Sequence, residues 1–344
     1  MPRIVALVSA IPGARTVLDL FAGTTRVAQG LKTAGFVVTA NDLASYSEVL
    51  ARAYIATDAS RIEHATLAER LAHLDALPGV RGYVTRTFCE EARYFQPVNG
   101  ARIDAIRAGI DAIARSPTER AILLTALLEA ADRVDSTTGL QMAYLKQWAA
   151  RSHRPLALRM PVLIAGTGEV RCEDARSCVQ RAEEFDVAYM DPPYNQHSYY
   201  SNYHIWETLV RGDAPGTYGV ARKREDCRTT KSPFNQRPHA WAALREVVLG
   251  VRARHLVLSF SNEGFFTDVA IRALLAERFE EVAVVPVDSP RYVGARIGIH
   301  NPKGERVGRV SHVRNTELLF LAGPDALAIV DDSGVRAEPA ARAG

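Results

Sequence analysis

The chain has 344 residues, of which 47% are hydrophobic, so it can bury a substantial core in one large domain or two. Its formal net charge of +3 is mildly basic, which permits a nucleic-acid partner without arguing strongly for one. The four cysteines form no CxxC pair or zinc-ligand spacing, and no apolar run is long enough to span a membrane. We therefore expect a soluble, cytoplasmic protein with reduced thiols, no metal site and no membrane partner.

The first predicted unit is a strand, a glycine turn and a helix. Residues 16–25 have the pattern of a buried strand that enters a tight turn, and residues 26–35 that of a short helix ended by Gly35. The turn holds a single glycine, Gly23, and lacks the GxGxxG that admits a pyrophosphate, so S-adenosylmethionine fits it better than a dinucleotide. Any α/β protein can begin with the same strand, turn and helix. The pattern therefore leaves open both a cofactor-binding loop and an ordinary turn.

The second predicted strand, residues 36–43, ends in Asp42. An acidic side chain about 20 residues after such a turn reaches the ribose hydroxyls of a bound nucleotide. The alternative is an aspartate that caps the next helix. The joint occurrence of Gly23 and Asp42 favours a ligand-binding role for Asp42 over a helix cap.

A helical period then replaces the strand pattern from residue 45 to about residue 152. About 100 residues without a strand are too many for a loop, so we predict a mainly helical insert, residues 59–154. The rest is predicted to be an α/β Rossmann-like methyltransferase sheet, residues 1–58 and 155–325, followed by a flexible tail, residues 326–344.

Strand character returns at residues 162–165 and 168–175. Asp174 ends the second of these segments. Its carboxylate could accept a hydrogen bond from the adenine amine of a cofactor, or it could cap a helix over residues 175–181.

A proline-rich motif follows the next strand, residues 185–190. Two prolines stop this strand and hold a carboxylate and an aromatic ring at its carboxyl end, where open α/β sheets bind ligands. The motif is Asp191-Pro192-Pro193-Tyr194.

These groups suit the methylation of an exocyclic amine, whose lone pair is delocalised into the ring. The Asp191 carboxylate and a carbonyl of Pro192 or Pro193 would accept the amine hydrogens and stabilise the charge that develops on nitrogen. Tyr194 would stack on a base that has left its helix. A plain Pro-Pro loop is the alternative, since the tetrapeptide arises by chance in roughly one chain in several hundred to a thousand.

Two further segments are candidates for contact with nucleic acid. Residues 197–203 form an aromatic patch suited to a splayed base, with Tyr199, Asn202 and Tyr203 as candidates, although two of its tyrosines could equally belong to the core. Residues 212–238 are predicted to form a basic loop that orders on DNA. Its candidate residues are Arg222, Lys223, Arg224 and Lys231.

The closing elements are predicted as a helix at 241–253, a strand at 255–261, a helix at 265–278 and strands at 282–287 and 317–321. Between the last two strands, residues 289–314 form a basic, glycine-rich segment. It could be a hairpin that follows a phosphate backbone, with Arg291 and Arg296 as candidates, or a solvated surface hairpin.

Several motifs occur in an order that resembles the adenine-specific DNA methyltransferases of the Dam-like type, in particular FokI-methylase-like members. They are Asp19-Leu-Phe-Ala-Gly-Thr24, Asn41-Asp42, Asp174, Asp191-Pro-Pro-Tyr-Asn195, Asn202-Tyr-His204, residues 256–264 and residues 315–321.

This resemblance implies that S-adenosylmethionine is the cofactor and that residues 191–194 bind and activate a flipped adenine. It also implies that the insert recognises the target in double-stranded DNA and that a companion restriction endonuclease is a further partner. The implied cofactor-binding residues are Asp19, Phe21, Ala22, Gly23, Asp42 and Asp174.

One departure from the family concerns the start of the chain. The family usually opens with a Gly- and Lys-containing segment that touches the methionine end of the cofactor. Residues 1–8 do not have this pattern and are expected to lie in the helix that follows it.

The predicted function is therefore site-specific transfer of a methyl group from S-adenosylmethionine to the N6 amine of adenine in duplex DNA. Alternatives are the same chemistry on adenine N6 in RNA or on cytosine N4 in DNA, and an inactive DNA-binding homologue with a truncated start. Methylation of a protein amide is a weaker alternative, because that reaction is usually associated with Asn in place of Asp191.

Overall fold

The structure, a computed structural model, describes residues 1–290, 299–300, 306–308 and 314–335. The chain divides into two compact units. We call Met1–Leu43, Ile164–His197 and the chain from Ser232 onward the sheet unit, and Ala44–Leu163 with Ser198–Lys231 the helical unit.

The helical unit is larger than the predicted insert. Residues 59–154 lie inside it, but it also takes in residues 44–58, 155–163 and 198–231. The reason is packing: the helix His204–Arg211 contacts the helix Ser45–Ala51, so two segments far apart in sequence share one core.

A seven-stranded sheet confirms the predicted α/β Rossmann-like fold. The order of its strands is β3-β2-β1-β4-β5-β7-β6, with β7 antiparallel to both neighbours and the other pairs parallel. The direction of strand order reverses between β1 and β4, and ligands bind at such a switch point. The strands are β1 Thr16–Asp19, β2 Val37–Asn41, β3 Gly168–Arg171, β4 Phe185–Met190, β5 Ala253–Ser261, β6 Val282–Pro290 and β7 Arg314–Ala322.

Side-chain caps fix the start of two helices of the sheet unit, at Asp174 and at Thr267. Thr267 caps Asp268–Ala276 through its side chain, so that helix begins later than predicted. Two predictions are wrong: residues 162–165 form no strand, and the predicted flexible tail contains the helix Ala326–Asp332. The other helices are Pro2–Ser9, Arg26–Thr33, Ala175–Val179 and Arg237–Gly250.

Prolines that resemble breakers in the sequence begin helices in the helical unit. Pro97 and Pro117 each occupy the first turn, where the missing N–H removes no intrahelical hydrogen bond. No helix in the described ranges is long and apolar enough to cross a bilayer. The helices of this unit are Ser45–Ala51, His64–Asp75, Pro97–Ile113, Pro117–Asp132, Tyr199–Asn202 and His204–Arg211, with π-helical turns at Arg52–Ala56 and Thr85–Glu90.

Gly100 allows the helix Pro97–Ile113 to pack closely on the turn Thr85–Glu90. A Cβ at Gly100 would lie 3.2 Å from Thr85 Cα and would overlap Cys89 Sγ. We expect Gly100→Ala to lower the free energy of unfolding by about 1–3 kcal/mol, because overpacking outweighs the better helix propensity of alanine.

Thermal or denaturant unfolding measures this change. The matched control is Ala108→Gly at an exposed position of the same helix, which should cost about 1 kcal/mol through propensity alone. A Gly100→Ala variant as stable as the parent would show that the close packing is not required.

Candidate active site

The loop after β1 is held by hydrogen bonds to both neighbouring strands. Leu20 donates its amide to the carbonyl of Tyr189 in β4 at 3.0 Å, and Ala22 donates to Asn41 in β2 at 2.8 Å. Gly23 and Thr25 then turn the chain through left-handed conformations, with φ of +50° and +62°. We name residues 20–25 the cofactor loop, following the prediction for this segment.

Asp42 closes the cofactor loop from the end of β2. Its carboxylate accepts a hydrogen bond of 2.9 Å from the Gly23 amide. This contact explains the joint occurrence of the glycine and the acid: Gly23 supplies the turn, and Asp42 fixes it. The predicted contact of Asp42 with a ribose is not tested by this bond and stays a prediction.

Asp19 is the buried carboxylate at the end of β1. Asp19 is 1% exposed. Neither of its carboxylate oxygens has a hydrogen-bond partner of normal geometry among the described residues. Burial, reinforced by the charges of Asp191 and Asp42, raises its pKa from the ordinary 3.8 to about 8, although backbone groups of Ala28 and Phe21 favour ionisation. Buried polar groups are rarely left unpaired, so this one indicates a place for a cationic ligand.

Asp174 caps the helix Ala175–Val179, as one of the two sequence interpretations proposed. Its Oδ1 accepts hydrogen bonds from the amide of Arg176 at 2.9 Å and from Nε of the same residue at 3.0 Å. The predicted contact with a cofactor adenine is untested.

Asp191 follows β4 and has solvent access, unlike Asp19. Desolvation by the surrounding protein and the charge of Glu317 raise its pKa from 3.8 to about 7, while the Ser259 hydroxyl favours the ionised form. Ser259 in β5 also donates a hydrogen bond to Glu317 in β7. Three adjacent strands therefore bring Asp191, Ser259 and Glu317 together at the carboxyl end of β4.

The two prolines of the motif differ in exposure, since Pro192 is buried and Pro193 half-buried. Within the described part of the chain, no donor reaches the carbonyls of Pro192 and Pro193, whereas that of Tyr194 accepts a hydrogen bond of 2.9 Å from the Phe265 amide. The Tyr194 ring is half-buried and meets the ring of Phe260 edge-on, with 6.1 Å between centroids. An accessible carboxylate, two free carbonyls and an aromatic ring thus lie on one short loop.

Sequence reasoning assigned no role to Ser259 and Glu317. The signal was a polar residue inside an otherwise apolar buried strand, which indicates a partner or a site. Nothing local identified that partner, because the two residues are 58 positions apart.

The aromatic patch of the helical unit is divided between packing and exposure. Tyr203 stacks on Trp206 with ring centroids 4.8 Å apart, and Asn202 is buried with its carbonyl accepting the Gln141 amide at 2.7 Å. Tyr199 is 48% exposed. Of the three predicted contacts with nucleic acid, Tyr199 has the accessibility that such a contact requires.

The prediction for Arg224 needs correction. This residue is 1% exposed, and its guanidinium forms two hydrogen bonds to Asp213, at 2.6 and 2.7 Å, and others to Asp226 and Thr208. A guanidinium buried and paired in this way stabilises the helical unit and does not reach a phosphate.

The other predicted basic residues differ in exposure. Lys231 is exposed and Lys223 half-buried, whereas Arg222 lies 3.4 Å from a carboxylate oxygen of Glu91. Arg291 and Arg296 lie outside the described residues. In the segment around them, Ile299–His300 and Arg306–Gly308 form a short antiparallel pair.

The raised pKa of Asp19 makes a prediction about stability. The folded protein binds this proton more tightly than the unfolded chain, so the stabilisation is complete below about pH 4 and is lost as the pH rises through about 8. We expect Asp19→Asn to remove this loss and to be more stable than the parent at pH 8.5, by roughly a few kcal/mol.

Melting temperatures of both proteins at pH 5 and pH 8.5, without ligand, measure the effect. Because the two proteins are compared with each other, the contributions of other titrating groups to the pH dependence cancel. An equal pH dependence in the two proteins would contradict the assignment of a strained carboxylate at this position.

Known proteins with similar sequences place this geometry in a family. Residues 1–261 match the family model of the D12 class N6 adenine-specific DNA methyltransferases. The chain is 30% identical over 275 residues to the modification methylase StsI of Streptococcus sanguinis, covering 76% of the chain and 42% of the relative. It is 29% identical over 305 residues to the type II methyltransferase M.NlaIII of Neisseria lactamica, covering 86% and 89%.

The type II methyltransferase M.FokI of Planomicrobium okeanokoites is 30% identical over 281 residues, covering 76% of the chain and 43% of the relative. The chain thus spans less than half the length of the StsI and FokI enzymes and most of the length of the NlaIII enzyme. Because the family match covers well over half of the chain, the protein belongs to the D12 class N6 adenine-specific DNA methyltransferase family, as the resemblance implied.

Proposed function

We propose that this protein transfers a methyl group from S-adenosylmethionine to the N6 amine of adenine at specific sites in duplex DNA. The observation that carries the proposal is the juxtaposition of two loops at the switch point of the sheet. One loop presents the carboxylate of Asp191 with two free carbonyls, and the other surrounds the unpartnered carboxylate of Asp19.

The residues of the cofactor loop fit S-adenosylmethionine, which supplies the methyl group when bound. This cofactor carries a sulfonium and an ammonium group, and a positive charge near Asp19 would compensate its buried carboxylate. Phe21 and Ala22 line the same loop, and Gly23 keeps it free of side-chain bulk. Asp42, whose carboxylate is bonded to the loop, would accept a hydrogen bond from the ribose.

The motif after β4 would hold and activate the target amine. The Asp191 carboxylate and a carbonyl of Pro192 or Pro193 accept its two hydrogens, which localises the nitrogen lone pair and stabilises the charge that develops on nitrogen. Tyr194 stacks on the flipped base. Catalysis then rests on position and on fixed acceptors.

Recognition of DNA is proposed for the helical unit. Exposed Tyr199 and Lys231 support this, as an aromatic ring for stacking and a cation for phosphate. Relatives named as modification methylases and type II methyltransferases suggest a companion restriction endonuclease and a cytoplasmic, DNA-associated location.

A direct test measures transfer of labelled methyl groups from S-adenosylmethionine to unmethylated duplex DNA, with digestion to nucleosides. We expect labelled N6-methyl-deoxyadenosine from the parent protein. Asp191→Asn should lower the turnover rate about 10²–10³-fold, because one acceptor in the site is weakened, while cofactor binding is retained.

The matched control for that experiment is Asp331→Asn, which changes an exposed carboxylate in the helix Ala326–Asp332. Labelled N4-methylcytosine, or transfer to RNA alone, would replace the proposed substrate by one of the alternatives. Unchanged turnover in Asp191→Asn would remove the proposed role of the motif.

The pKa of Asp191 predicts how activity depends on pH. The ionised carboxylate is the stronger acceptor for the amine hydrogens and the better counter-charge for the nitrogen, so kcat/KM for DNA at saturating cofactor should fall as the pH drops through about 7. Glu317 contributes to the raised pKa, so Glu317→Gln should move this fall to lower pH.

The pH profile of kcat/KM for both proteins checks this expectation. Glu280→Gln, at an exposed glutamate of the sheet unit, is the control and should leave the midpoint unchanged. A midpoint in Glu317→Gln equal to that of the parent would show that Glu317 does not act on Asp191.

A further inference from the structure

A short turn of the sheet unit contacts the loop that carries the methylation motif. The turn Pro233–Asn235 precedes the helix Arg237–Gly250. The side-chain amide of Asn235 donates two hydrogen bonds, to the carbonyl of Asn195 at 2.7 Å and to that of His197 at 3.0 Å. One side chain therefore holds two carbonyls of a segment 38 to 40 positions earlier in the chain.

The residue before Asn235 contacts the cofactor loop. Phe234 is 3% exposed, and its ring meets that of Phe21 edge-on with 5.1 Å between centroids. Aromatic edge contacts of this kind have a defined geometry. Two consecutive residues of one turn thus touch the cofactor loop and residues 191–197, which we name the motif loop.

Few other hydrogen bonds restrain the carbonyls of the motif loop, although its Asp191 meets Ser259 and its Tyr194 ring packs on Phe260. Residues 191–197 form no helix or strand, and the Phe265 amide, bonded to the Tyr194 carbonyl at 2.9 Å, is the other long-range donor to their carbonyls within the described chain. Asn195 accepts a local bond of 3.0 Å from the His197 amide, which closes a turn but ties it to nothing else. Asn235 supplies the two remaining links.

We infer that Asn235 is a positioning residue for methyl transfer: it fixes the loop of Asp191 and Tyr194 against the turn that also contacts the cofactor loop. This inference rests on the proposed function and adds a residue outside the motifs that carry it. The physical reason is that in-line transfer depends on the distance between the two reacting centres, and a displacement of about 1 Å can lower the rate about a hundredfold.

Asn235→Asp tests the inference with an almost isosteric change. A carboxylate oxygen replaces the amide nitrogen, so the two donated bonds become repulsive contacts with carbonyls. We expect kcat for methylation of unmethylated genomic DNA to fall at least about tenfold, with KM for S-adenosylmethionine within about twofold of the parent. Asn235→Ala should show the same fall in kcat with little change in KM, without introducing a charge.

Gln236→Glu is the matched control. It makes the same amide-to-carboxylate change at the next residue, whose side chain donates only a 3.4 Å bond to the Ser232 carbonyl within its own turn. Its kcat and KM should stay close to those of the parent. Unchanged kcat in Asn235→Asp and Asn235→Ala would overturn the inference, as would a loss confined to KM for the cofactor.

Hydrogen exchange separates this inference from the proposed function, because it requires no activity. Amides within residues 191–197 should exchange faster in Asn235→Asp than in the parent and in Gln236→Glu, with no change in β2 or β6. Equal exchange in all three proteins would overturn the role of Asn235 even in an active enzyme. Failure of the parent to methylate DNA would instead overturn the proposed substrate while leaving the exchange result decisive for the loop.

Discussion

The constraint around which the sheet unit is arranged is a buried carboxylate to which no donor in the described part of the chain makes a hydrogen bond. Asp19 ends strand β1, which lies between β2 and β4, and the ends of those strands bring Asp42 and Asp191 near it. Burial and like-charged neighbours disfavour ionisation, so Asp19 keeps its proton up to about pH 8. A cation bound beside it would favour the ionised form instead.

Rigid loops make this arrangement useful for chemistry. The cofactor loop is fixed by its own amides, which bond to β2, to β4 and to Asp42. The motif loop is fixed from outside, by the Phe265 amide and the side chain of Asn235. In both cases these bonds leave the carbonyls of Pro192 and Pro193 without a donor among the described residues. A site prepared in this way needs little reorganisation when its ligands arrive.

The helical unit handles charge differently. Its buried charged groups are paired, as in the bonds of Arg224 to Asp213 and Asp226 and in the ion pair between Arg151 and Asp135. Charged groups that are paired in this way stabilise or specify a fold, but their hydrogen-bonding groups are already occupied and cannot bind a ligand. Basic residues close together in sequence thus have different roles, and their charge alone does not identify those that contact nucleic acid.

The sequence by itself determined the fold class of this protein and singled out the motif at residues 191–194. Strand patterns, the turn at Gly23 and the prolines after Asp191 are local, because each depends on conformational preferences of neighbouring residues. The order of these segments was sufficient to indicate the family, which the comparison with known proteins confirmed.

Tertiary structure decided the rest, because the deciding contacts join residues that are distant in sequence. The burial of Arg224 depends on how residues 198–231 pack with the rest of the helical unit. The number of charged residues in that segment does not predict it. The effect of Glu317 on Asp191 depends on an antiparallel strand added beside β5, and that of Asn235 on a turn that returns to the motif loop. Local propensity determines which segments become strands and helices, but only the packed sheet determines which side chains meet.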